Sequence, residues 1–230
     1  MTARPDSPAA AMVFAAGFGT RMGALTRDRP KPLIPVAGRP LLDHAIAIAQ
    51  AAAPRIVVNT HYRGDMIAAH LAGRGIALSP EPDMILDTGG GLRAALPLLG
   101  PGPVFTLNSD AVWRGGNPLL TLAAAWDGSR MEGLLLLLDR DRAIGHSRQG
   151  DFLTDAQGRL ARGPGRIYSG AQILRTEDLA AIPGPAFSLN LLWDRMIARG
   201  TLFGLTWDGQ WCDVGRPESI PLAEALLGHG

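Results

Sequence analysis

The chain has 230 residues, a formal net charge of +1 and 47% hydrophobic side chains. That length and apolar share can bury a sizeable core without a disulfide or metal staple, and they argue against disorder. The near-zero charge excludes a basic field for non-specific nucleic-acid binding, and the single Cys212 excludes an internal disulfide or a multi-cysteine metal site.

Residues 1–10 are polar, contain proline and read as a flexible N-terminus. The alanine-rich run after Arg4 superficially resembles a signal-peptide core, but Asp6 and two prolines interrupt its approach and the run is short. No apolar stretch approaches the roughly 20 residues that span a bilayer. A reduced, cytoplasmic protein is the expectation.

Met12 to Ala16 predicts a buried strand, followed by a long Gly/Pro-rich loop from Gly17 to Pro40. Leu41 to Ala53 predicts a helix that Pro54 stops, and Arg55 to Asn59 a second strand. A helix over Met66–Leu71, a strand over Ile76–Ser79, a helix over Gly91–Leu99 and a strand over Val104–Asn108 follow. Leu119–Trp126 predicts a helix and Gly133–Leu138 a buried strand. Strand–helix alternation with continuously apolar strands predicts a mostly parallel sheet covered on both faces. The rest is less regular. A hairpin is expected over Asp151–Ala161, a strand over 167–174, a helix over 187–198, a strand over 201–207 and a closing helix over Pro217–Leu227.

Ligands of such sheets bind at the carboxyl ends of the strands, so the first strand directs attention to Gly17-Phe18-Gly19-Thr20-Arg21-Met22. Glycines there let backbone N–H groups approach phosphate oxygens. A dinucleotide fingerprint would need glycine where Met22 stands, and a P-loop would need a Gly-Lys pair that the chain lacks. Lys31 is the one lysine among 22 basic side chains and lies between two prolines. An Arg-rich composition explains the arginines and leaves the single lysine open, because an ammonium and a guanidinium are not interchangeable at a tight phosphate site.

The segments Ala15–Met22, Pro30–Val36 and Gly38–Leu42 together resemble the signature of the sugar-1-phosphate nucleotidyltransferases, the nucleoside-diphosphate-sugar pyrophosphorylases. The resemblance continues through Asp87–Gly91, Asn108–Asp110, Gly150–Phe152, Tyr168–Gly170 and Trp211–Gly215 and covers about residues 11–228. The order and spacing of the later segments look most like the short bacterial N-acetylmuramate-1-phosphate uridylyltransferases of cell-wall recycling. The resemblance implies a Rossmann-like, mixed, mostly parallel α/β sheet. It implies a single domain over 11–228, with a nucleotide-binding half over about 11–130 and a sugar-binding half over about 131–228.

It also implies roles. Lys31, Arg21 and Asp110 would be catalytic. Ala15, Ala16, Gly17, Gly19, Thr20, Arg21, Lys31, Thr88 and Gly89 would bind the nucleotide. Asn108, Asp151, Ser169 and Gly170 would line the sugar subsite, and Asp110 and Asp213 would hold Mg2+. The expected partners are a nucleoside triphosphate, UTP above all, and a sugar 1-phosphate. Neither nucleic acid nor a membrane is expected, and the assembly is expected to be a monomer or small homo-oligomer. The chemistry agrees with these roles. An already ionised phosphate oxygen attacks an α-phosphorus, so no general base is required and no His-centred dyad is missed. On residue type alone, Asp110 and Asp213 could equally be turn or cap aspartates, and Thr88 a helix cap.

Two positions depart from the family. Ser109 stands where glycine or alanine is usual, and Phe18 where a polar or basic residue is frequent. His44, His61, His70 and His146 lack metal spacing and read as structural, while Trp193 and Trp207 read as core. Within the class, a mannose-1-phosphate guanylyltransferase or a glucose-1-phosphate uridylyl- or thymidylyltransferase is the alternative. From another class, a non-catalytic sugar-nucleotide regulator is the rival, and it would be expected to lose Lys31 or one of the two aspartates.

Overall fold

The computed structural model describes residues 7–146 and 149–228. Its centre is a seven-stranded sheet in the order β13-β8-β12-β6-β1-β4-β5. These strands are β1 (Ala10–Phe14), β4 (Arg55–Thr60), β5 (Ala77–Pro80), β6 (Val104–Asn108), β8 (Gly133–Leu138), β12 (Ile167–Leu174) and β13 (Leu202–Thr206). Pairing is parallel except at β12, which runs antiparallel to both β6 and β8. One sheet therefore takes strands from both halves of the chain.

β8 is Gly133 followed by five leucines, all buried. Such a strand is covered on both faces, as the continuous apolar run requires. One face packs on α1 (Leu41–Ala52) and α4 (Pro118–Ala125), the other on α3 (Asp87–Leu99) and α5 (Asn190–Arg199). The α2 helix (Gly64–Leu71) contributes Ile67 and Leu71 to the first face. α1 buries Leu41, Leu42, Ala45, Ile46 and Ala49, one stripe of a 3.6-residue period. Its end is set by Pro54, which leaves Ala53 extended. α4 starts where the Asn117 side chain accepts from Leu119 and Leu120 N–H, with Pro118 in the first turn, a cap that contributes about 1 kcal/mol.

α3 begins at Asp87, four residues before the predicted start, so three glycines lie inside it. They are there for space. A Cβ on Gly91 would sit 2.7 Å from Glu81 Oε1, and one on Gly89 would strike the Phe187 ring. β1 ends at Phe14 rather than Ala16, so Ala15 and Ala16 belong to the loop beyond the strand. The loop from Gly17 to Pro40 is structured. It holds 3-10 turns at Thr20–Thr26 and Lys31–Leu33 and a hairpin of β2 (Pro35–Val36) and β3 (Arg39–Pro40).

A second sheet was not predicted. It orders β7 (Ala111–Arg114), β14 (Gln210–Asp213) and β9 (Ala143–Ile144) as β7-β14-β9. These strands have two to four residues each, too short for any period to show. β10 (Phe152–Thr154) and β11 (Leu160–Arg162) form the expected hairpin, with Asp151 just outside it. Beneath the small sheet, Met22, Ile34, Val36, Val112, Cys212 and Val214 pack on α6 (Ser219–Gly228). Burial first, and the nearby Asp213 charge second, push the Cys212 thiol up to about 12. A thiol reagent at pH 8 is therefore expected to leave the native protein unlabelled and to modify one thiol after denaturation; rapid native labelling would contradict this packing. Among the described residues no helix is long and apolar enough to cross a membrane.

Candidate active site

β14 pairs with β7 in a register that sets Asp213 opposite Ala111, and Val214 N–H donates to Asp110 C=O at 2.8 Å. Backbone pairing alone therefore brings Asp110 beside Asp213 from positions 103 residues apart in the chain. Burial, and then the neighbouring Asp110 charge, push the Asp213 carboxyl up, against the opposing pull of Lys31, Arg21 and His146. Lys31, only 8% exposed, donates from Nζ to Asp110 Oδ2 at 2.8 Å. Two carboxylates that repel one another across an open cavity, with a lysine on one of them, form a donor set that suits a divalent cation shared with phosphate oxygens. No group of three or more His, Cys, Asp or Glu side chains with metal-binding geometry occurs among the described residues.

Two cavities meet at this point. The smaller, about 250 Å³, is lined by Ala15, Ala16, Gly17, Lys31, Asn59 and Glu81, with Asp87, Thr88, Asn108 and Asp110. The larger, about 680 Å³, shares those last four residues and extends past Asp213, Asp151, Ser169 and Gly170. Both open at the carboxyl ends of β1 and β6, where a doubly wound sheet binds ligands.

A buried network shapes the smaller cavity. Ala15 N–H donates to Asn59 Oδ1 at 2.8 Å, Asn59 Nδ2 donates to Glu81 Oε1 at 2.7 Å, and Leu86 N–H donates to Glu81 Oε2 at 2.8 Å. This ties the loop after β1 to the end of β4 and to the approach to α3. Asp87 lies at φ +58, an unusual conformation for a residue with a side chain, at the wall common to both cavities.

Most of the predicted residues line these cavities, but with different duties. Gly19 lines neither. It has φ +65, and a Cβ there would lie 2.7 Å from Lys31 Cβ, so its role is to let Lys31 pass. Gly89 donates its N–H to Phe187 C=O at 2.9 Å and lies behind the wall, and Thr20 also borders neither cavity. Arg21 reaches the larger cavity, close to Gly215 and Asp213. Asp151 Oδ2 accepts from Tyr168 N–H at 2.9 Å. Ser169 is 1% exposed and its hydroxyl donates to Leu136 C=O at 2.7 Å, which leaves it as scaffold. Gly170 has φ +85, and a Cβ there would fall 2.8 Å from Asn108 Nδ2.

The two departures also have physical accounts. Ser109 is buried and its hydroxyl donates to Phe14 C=O at 2.6 Å, clasping β6 to β1. Phe18 is 49% exposed and packs its edge on His61 and Tyr62, with ring centroids 5.5 and 5.8 Å away.

Sequence reasoning missed part of the larger wall. Trp193 is core, and its Nε1 donates to Gln172 Oε1 at 2.9 Å, yet it also faces the cavity beside Tyr168 and Phe152. Arg162, His146, Arg216 and Ser219 line it too. Helical spacing marks Trp193 as buried but cannot say that the buried side borders a cavity.

A family model described as the MobA-like NTP transferase domain matches residues 11–148. The chain is 41% identical to the N-acetylmuramate alpha-1-phosphate uridylyltransferase of Caulobacter vibrioides, over 96% of this chain and 98% of that protein. It is 34% identical to the protein of the same description from Neisseria meningitidis serogroup B, over 95% and 98%. The structure of the inositol-1-phosphate CTP transferase from T. maritima superimposes with a TM-score of 0.76 at 16% identity, over 96% of each chain, a likeness of fold.

Proposed function

Starting from the membership of this chain in the MobA-like NTP transferase family, we propose that it joins UTP to N-acetylmuramic acid 1-phosphate, releasing pyrophosphate. The observation that carries this reading is the meeting of two cavities of unequal size at one Lys31–Asp110 pair, with Asp213 alongside. The triphosphate takes the smaller cavity and the sugar phosphate the larger. An oxygen of the sugar phosphate attacks the α-phosphorus. A new P–O bond forms, the bond to the β-phosphate oxygen breaks, and that oxygen leaves with pyrophosphate. The attacking oxygen is already ionised, so the chain positions and neutralises rather than moves a proton.

Mg2+ bound by Asp110 and Asp213 would supply charge neutralisation on the phosphate oxygens. Lys31, presented by Pro30 and Pro32, gives the triphosphate a compact cation. Arg21 adds a second cation from the larger cavity's edge. The reading implies a cytoplasmic enzyme, where UTP is available, acting in the recycling of cell-wall sugar.

A muramate acceptor carries a lactyl carboxylate, which needs a cation of its own. Of four arginines in the second half that could supply one, Arg148 lies outside the described residues. Arg166 and Arg175 line neither of the two cavities. Arg162 is the one of the four that lines the cavity, stacked 4.9 Å from the Phe152 centroid and 5.5 Å from Trp193. It is our choice for the carboxylate.

A pyrophosphate-release screen of four triphosphates against a panel of sugar 1-phosphates tests the whole reading. UTP with N-acetylmuramic acid 1-phosphate is expected to lead, with acceptors lacking the carboxylate about 10- to 100-fold poorer. Equal or better turnover of mannose 1-phosphate with GTP, or of glucose 1-phosphate with UTP or dTTP, would overturn the substrate pair. No turnover of any pair would favour a non-catalytic binder.

A further inference from the structure

The larger cavity has more basic side chains than the roles above use. Arg21, His146, Arg162 and Arg216 all line it. Arg21 and Arg162 already have roles, and His146 is held in a ring contact. Arg162 gives both Nε and Nη2 to Asp194 Oδ1, at 3.0 and 2.8 Å, which fixes it at the wall, and it is already assigned to the acceptor's carboxylate. Arg21 lies beside Gly215, where its Nη1 and Asp213 Oδ1 would each be 3.1 Å from an added Cβ, and it is already given to the triphosphate. His146 packs against the Trp211 ring at 5.9 Å.

Arg216 is the one of the four without a role or a ring contact. It is exposed, and among the described residues its side chain has no ion pair and no hydrogen bond. It follows Asp213 by three residues, a span of at most about 11 Å, on the turn that leads into the first turn of α6. Ser219 in that turn is buried and borders the same cavity, and Ser219 N–H donates to Arg216 C=O at 3.0 Å, which fixes the turn.

Electrostatics make an unanswered cation at this place consequential. An acceptor phosphate has to approach a triphosphate while passing two carboxylates, Asp110 and Asp213. Lys31 borders the smaller cavity and is paired with Asp110, so it does little for an anion entering from the other side. A guanidinium in a fork geometry matches two phosphate oxygens at once.

We propose that Arg216 is the positioning cation for the acceptor, binding the phosphate of the sugar 1-phosphate on the Asp213 side of the larger cavity. The proposal rests on the sugar-1-phosphate reading and divides the labour of the wall. Arg216 holds the phosphate common to all acceptors, and Arg162 reads the substituent that distinguishes one.

The test is steady-state kinetics of Arg216→Gln and Arg216→Lys with UTP and N-acetylmuramic acid 1-phosphate. N-acetylglucosamine 1-phosphate serves as a competing acceptor analogue that shares the phosphate and lacks the carboxylate. Arg216→Gln is expected to raise the KM for the muramate acceptor about 10- to 100-fold and to weaken inhibition by the glucosamine compound in parallel. The KM for UTP should stay within about twofold, Arg216→Lys should recover part of the loss, and the unfolding temperature should not move because the side chain has no protein partner. An unchanged acceptor KM, or a rise confined to the KM for UTP, would overturn the proposal. So would a loss for the muramate acceptor without weaker glucosamine inhibition, which would make Arg216 the reader of the carboxylate. A wild-type enzyme that turns over no sugar 1-phosphate would instead remove the reading beneath it, so the two failures are told apart by the wild type.

Discussion

Asp110→Asn and Asp213→Asn are each expected to lower kcat about 100- to 1,000-fold, equivalent to about 2.7–4 kcal/mol of barrier, while moving stability in opposite directions. Each change removes one charge and almost no volume. On the proposed reading, the loss of turnover follows from losing a carboxylate that would hold the divalent cation. The stability effects follow from what each carboxylate meets in the free protein. Asp110 answers Lys31, whose side chain is 10% exposed. Asparagine there leaves a nearly buried ammonium without its partner. Asp110 is itself one-third exposed, so the cost is discounted for solvent to about 1–3 kcal/mol. Asp213 is in the reverse position, because burial and the Asp110 charge raise its carboxyl in the folded state. A raised acid disfavours its charged form in the fold, so its ionisation costs stability at neutral pH. That cost is relieved as pH falls through the raised folded value towards the ordinary aspartate range. Asp213→Asn should therefore raise the unfolding temperature at pH 7, with the advantage over wild type shrinking in acid. Turnover together with thermal unfolding at pH 7 and pH 4 reads both effects. Near-normal turnover in either variant would remove that residue from the metal site. A destabilised Asp213→Asn at pH 7 would mean that its carboxylate is better compensated than the geometry indicates.

This pair also marks how far a sequence carries such a site. The loop after β1, the lysine between prolines and the two aspartates are local patterns, and they were legible. So was the strand–helix alternation, because a run such as Leu134–Leu138 has no solvent face. The small sheet β7-β14-β9 was not, although it alone explains why Asp110 and Asp213 converge. Its strands are short, and their identity lies in partners tens of residues away. The start of α3 was misplaced because three glycines argue against a helix locally, whereas Phe187, the Pro185 carbonyl and Glu81 press on them and admit nothing larger. The larger cavity's wall was the least legible part. Arg162 and Arg216 look alike in sequence as isolated charges, and they differ only because Asp194 holds one of them. Ser169 borders the same cavity, but its hydroxyl donates to Leu136 C=O, a partner that its motif does not reveal.

Lys31→Arg keeps the charge, and it is nevertheless expected to cost about 30- to 150-fold in kcat/KM, roughly 2–3 kcal/mol. The argument is one of space and shape. Lys31 is 8% exposed and rigidly flanked by Pro30 and Pro32. The backbone of Gly19 crosses it so closely that even a methyl group would lie 2.7 Å from Lys31 Cβ and 3.1 Å from Thr26 Cγ2. From that fixed base, an ammonium reaches Asp110 Oδ2 at 2.8 Å as a point charge with three donors. A guanidinium is longer and planar, and it spreads its donors over a fork. Started from the same Cβ and held on Asp110, its fork is expected to be misaligned with the triphosphate proposed for the smaller cavity. A charge-assisted contact is then weakened in the ground state and lost more fully in the transition state, where the phosphate charge shifts. The KM for UTP should rise and kcat should fall, while the acceptor KM stays near wild type because Lys31 does not line the larger cavity. Retention of the unfolding temperature to within a few degrees would show that the ion pair with Asp110 survives and that the loss is one of geometry. Wild-type kinetics in Lys31→Arg would make the single lysine an accident of an arginine-rich chain and would move the triphosphate's main cation to Arg21.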